Sequence, residues 1–62
     1  MCEANAFILK DGNEEMFLEN VDLVKLEGDE INPVSIFGEQ NTLKAKLKLY
    51  DNTKRKIVFE LL

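Results

Sequence analysis

The chain has 62 residues, 45% of them hydrophobic, with eight basic and twelve acidic side chains, one cysteine and no histidine. That length predicts a single small domain over residues 1–62. Such a domain buries only about 60% of its unfolded surface, so a staple, a metal or a partner chain is expected. One cysteine excludes an internal disulfide, the missing histidine excludes Ser-His and Cys-His catalysis, and a net charge of −4 disfavours a nucleic-acid binder.

The hydrophobic share argues against disorder, and no apolar run approaches the roughly 20 residues of a membrane span. Glu3 and the lack of a basic leader argue against a signal peptide. A soluble cytoplasmic protein is the expectation, with its lone thiol reduced.

In chain order, Ala4–Lys10 and Glu14–Glu19 flank Asp11-Gly12-Asn13 and read as a β-hairpin, because Gly12 accepts positive φ. Glu19-Asn20 makes a second turn or a bulge before Val21–Leu26. Residues 14–26 also carry a helical alternative, with Met16, Phe17, Asn20, Val21 and Val24 on one face. The strand is preferred, because an Asp-Gly turn needs a returning strand. After Glu27-Gly28-Asp29 comes Ile31–Phe37, where Pro33 belongs at a strand start or an exposed edge. Gly38 to Asn41 turns the chain again.

The clearest element is TLKAKLKLY at 42–50. Leu43, Ala45, Leu47 and Leu49 alternate with Lys44, Lys46 and Lys48, which predicts one buried and one solvated face. A turn at 51–54 leads into Arg55–Leu62. There Ile57, Phe59 and Leu61 share one face, and Val58 and Leu62 share the other. The fold class is therefore all-β, a meander or small barrel of five to six short strands. Apolar residues on both faces of KIVFELL and an open sheet edge call for a second chain, so a homodimer is predicted.

No catalytic constellation is present, and an enzyme is not expected. Gly12, Gly28 and Gly38 sit in separate turns rather than in a phosphate loop. The acid pairs Glu14-Glu15 and Asp29-Glu30 read as solvated surface. Lys44, Lys46 and Lys48 form a stripe that would contact phosphates, with Tyr50 the one nearby candidate for base stacking. The alternative is a plain polar outer face, which fits better without interleaved aromatics.

Cys2 is either a small passive thiol or a metal ligand. With Met1 removed, its amine and thiolate would chelate in a five-membered ring. With Met1 retained, the Met1 amine, the Cys2 amide and the thiolate supply nitrogen and sulfur together. A dimer axis near the N-terminus would join two such sets, and a planar nitrogen-containing site suits nickel(II) or copper(II).

Five segments, MCEANAFI, KDGNEE, ENVDLV, FGEQ and KAKLKLYD…KIVFEL, resemble the CooT family of small nickel-binding proteins over essentially the whole chain. The resemblance implies a small Sm-like or Src-homology-3-like barrel paired as a homodimer. It also implies a role in maturation of carbon monoxide dehydrogenase, with nickel(II) held through Cys2 of each subunit. Similar sequences are also described as predicted RNA-binding proteins, and the alternative function is an RNA-binding or protein-interaction β-barrel module that uses the Lys44, Lys46 and Lys48 face with Tyr50.

Overall fold

The computed structural model describes residues 3–62, so Met1 and Cys2, the expected metal ligands, lie outside the described residues. Five strands close a barrel in chain order: β1 (Ala4–Lys10), β2 (Asn13–Glu27), β3 (Glu30–Ser35), β4 (Leu43–Asp51) and β5 (Lys56–Leu61). Consecutive strands pair antiparallel, and β5 closes the ring on β1 in parallel. No helix occurs among the described residues, so residues 14–26 take the extended form, and none is available to cross a membrane.

Turn chemistry fixes the two hairpins. Asp11 (φ 52) and Gly12 (φ 81) both adopt positive φ between the paired Lys10 and Asn13. That is a type I′ turn, whose twist matches its strands. Gly28 (φ 58) opens the two-residue link between the paired Glu27 and Glu30, as in a II′ turn.

The second hairpin explains Pro33, which lies inside β3 rather than at its start. Counting from the hydrogen-bonded pair Glu27–Glu30, alternate pairs lack ladder bonds, and Pro33–Val24 is one of these. The proline nitrogen therefore faces away from β2, where pairing with β4 has already ended at Ile31–Leu43. Its missing amide costs no ladder bond.

β2 is one strand of 15 residues and not two. Its pairing slips twice against β1 and once against β3, and Asn20 (φ 57) takes a left-handed conformation that asparagine tolerates. Each slip inserts a residue and coils the strand, so its two halves serve different neighbours.

The core gathers Ala4, Ala6 and Ile8 of β1 with Leu18, Val21, Ile31, Ala45, Ile57 and Phe59. Phe59 is fully buried, and three alanines leave room for it within a narrow five-strand barrel. Val58 faces away from this cluster yet is also buried. It is flanked by Phe7 across the parallel seam and by Leu49 across the antiparallel one. That outer strip supplies part of the cover expected from a second chain, while Leu61 and Leu62 stay exposed.

β4 departs from its alternation. Ala45 is buried and Leu43 half-buried, but Leu47 and Leu49 are exposed. The register slips between Leu47, opposite Phe59, and Leu49, opposite Val58, so Lys48 is an extra residue. Leu49 is thereby turned to the outer face and Tyr50 to the inner one, opposite Ile57. β3 pairs with β4 only at Glu30 and Ile31, so the inner face of β4 beyond Ala45 has no strand on that side. β3 also ends earlier than expected, at Ser35, leaving Ile36 and Phe37 in a turn.

Candidate metal centre

The first described strand starts in an apolar groove. Ala4, two positions after Cys2 in the chain, pairs with Val21, and both line a groove of about 260 Å³. Ile57 and Phe59 line it from β5, Leu23 and Leu26 from β2, and Leu47 and Tyr50 from β4. The groove is open to water. Leu26 is 69% exposed, and Leu47 and Tyr50 are each 54% exposed. Exposed apolar surface of this kind is where proteins commonly meet a partner or a ligand.

The metal donors expected at Met1 and Cys2 fall outside the described residues, and among the described residues no group of three or more Cys, Asp or Glu is close enough to hold a metal ion. The paired acids are otherwise engaged or solvated. Glu14 forms an ion pair with Lys56, whose Nζ lies 5.2 Å from the centroid of the Phe7 ring. This contact joins β2, β5 and β1 on the outer face. Glu15, Asp29 and Glu30 are exposed.

The lysine stripe and Tyr50 are not brought together. Lys44, Lys46 and Lys48 are exposed on the outer side of β4, whereas the slip at Lys48 carries Tyr50 into the groove. Lys46 and Lys48 lie 3.7 and 3.9 Å from the same carboxylate oxygen of Glu60. Their charge is thus partly answered within the chain, and no base-stacking ring stands among them. The groove itself escaped sequence reading, because strict alternation put Leu47 and Leu49 in the core. The one available signal was the excess of large apolar residues in β4 and β5 over what so small a barrel encloses.

The comparisons agree with this architecture. Residues 1–60 match the family described as CO dehydrogenase accessory protein CooT. The crystal structure described as CooT from Carboxydothermus hydrogenoformans superposes with a TM-score of 0.91 at 36% identity, covering 98% of each chain. No curated protein matches the sequence. With the family matched over nearly its whole length and the barrel shared with a relative of this identity, the chain belongs to the CooT family of CO dehydrogenase accessory proteins.

Proposed function

We propose that this protein is a cytoplasmic nickel carrier, not a catalyst, that serves maturation of CO dehydrogenase as a homodimer. One nickel(II) ion is its cargo, held between two copies by both Cys2 thiolates with nitrogen from the N-terminal backbone. The observation that carries this reading is the position of Ala4 in the wall of an exposed apolar groove. A second copy seated on that groove covers Leu26, Leu47 and Tyr50 and draws two N-termini toward one axis. Two-fold pairing is the commonest closed assembly, and so small a core gains most from it.

The donor chemistry is consistent with such a cargo. Thiolate and backbone nitrogen favour nickel(II) in a planar set, and no histidine or carboxylate cluster among the described residues competes for it. A site at the chain terminus leaves the ion open to ligand exchange, which delivery to an apoenzyme requires. The test is absorption on addition of nickel(II). Wild type is expected to develop a thiolate-to-nickel charge-transfer band that Cys2→Ala lacks. An identical band in the variant removes Cys2 from the site.

A further inference from the structure

The loop between β3 and β4 presents an aromatic side chain that the core does not use. Phe37 is 72% exposed, with Ile36 beside it and the exposed Met16 on the adjoining stretch of β2. Exposed loops are usually mobile, but this one is pinned from beneath. Ser35, buried at 3% exposure, accepts hydrogen bonds on its Oγ from the Phe37 amide at 3.1 Å and the Glu39 amide at 3.2 Å. The Ile36 amide donates to the Asn20 carbonyl, and the Ser35 amide to the Glu39 carbonyl, both at 2.8 Å. Buried hydroxyl capacity is thus spent on holding an apolar side chain in water. Phenylalanine is among the residues enriched in interfaces, and one carried on a preorganised loop has part of its ordering cost already met.

The surroundings define the partner. Met16, Phe17, Phe37, Glu19, Glu39 and Asn41 line this depression, so it carries two carboxylates and no cation. Among the described residues neither Glu19 nor Glu39 is in an ion pair. The surface shares no lining residue with the groove assigned to dimerisation. Pairing through that groove does not itself use Phe37 or Glu39.

We propose that Phe37 is a docking knob that enters an apolar pocket, rimmed by basic side chains, on the client CO dehydrogenase. The carboxylates of Glu19 and Glu39 steer and orient that encounter, while Phe37 supplies the hold. The identity of the client rests on the reading of the protein as a carrier for this enzyme. A dimer offers two such knobs, so engagement of two client sites would be reinforced by tethering.

The experiment measures binding of the nickel-loaded protein to purified nickel-free CO dehydrogenase from the same organism by biolayer interferometry. Wild type, Phe37→Ala, and the Glu19→Gln/Glu39→Gln double variant are compared at low and physiological salt. Nickel titration of each sample reports carriage, and far-ultraviolet circular dichroism reports folding. The proposal expects wild-type binding, weakening of about tenfold or more for Phe37→Ala, and a flatter salt dependence for the double variant, all with nickel uptake unchanged. Equal binding by wild type and Phe37→Ala overturns the docking role and leaves the carrier reading standing. Absence of wild-type binding despite normal nickel uptake overturns both the docking role and this client, but not nickel carriage.

Discussion

Leu47 and Tyr50 lie in the same groove although an odd number of positions separates them along β4, because Lys48 is an inserted residue between their partners Phe59 and Ile57. In an unbroken strand they would face opposite sides. One slip therefore turns a plain amphipathic strand into one wall of an apolar surface that Ala4, the first residue of β1, also lines.

Leu47→Glu is expected to abolish pairing while leaving the barrel folded. The side chain is more than half exposed, so a carboxylate there meets water in the isolated chain and an apolar face in the proposed dimer. Sedimentation velocity should show a monomer with an unchanged far-ultraviolet circular dichroism spectrum. A variant that remains a dimer places the interface elsewhere.

Phe59→Ala tests the core. Removing a fully buried phenylalanine costs about 3–5 kcal/mol, against a total stability of roughly 3–9 kcal/mol for a chain of this length. The variant should be largely unfolded, or melt far below wild type, in urea titrations followed by circular dichroism. A loss below about 1 kcal/mol would mean that the barrel closes around some other residue.

Ser35→Ala should cost about 1–3 kcal/mol, because two amides lose a buried acceptor. Hydrogen exchange at Phe37 and Glu39 is expected to accelerate more than exchange in β1 or β5. Uniform acceleration would show that Ser35 supports the whole barrel and not the loop in particular.

RNA retention should be weak and confined to low salt. The net charge is −4, and Lys46 and Lys48 already share Glu60. Filter binding against single-stranded and structured RNA at physiological salt is expected to give no saturable signal. Tight binding that falls on neutralising Lys44, Lys46 and Lys48 would restore the nucleic-acid reading.

The legible parts of the sequence are those where one local rule decides. Asp11-Gly12 has one good conformation, and it set the first hairpin. The Leu-Lys alternation identifies β4, and the recurrence of short apolar segments between turns, with little room for a helix, gives the all-β class. β2 was harder to read, because each bulge resets the period, so a strand with three slips resembles both two strands and a helix. The slip at Lys48 takes Leu49 off the face that alternation predicts to be buried, whereas Leu47 keeps its register and is exposed because β3 no longer pairs beside it. The strand read over Ile31–Phe37 stops at Ser35 instead, because the pinning of Phe37 depends on the Ser35 hydroxyl beneath it and on the Ile36 amide reaching the Asn20 carbonyl across the fold. Cys2 stood out by being unique, which chemistry alone leaves open between a passive thiol and a ligand, and the family resemblance supplied the metal.

The most direct test is the nickel stoichiometry of the purified protein, by calorimetric titration with the oligomeric state followed in parallel. One nickel(II) ion per two chains is predicted for wild type, with binding strongly weakened in Cys2→Ala and in the monomeric Leu47→Glu variant. One ion per chain, retained by the monomeric variant, would contradict a site shared between two copies.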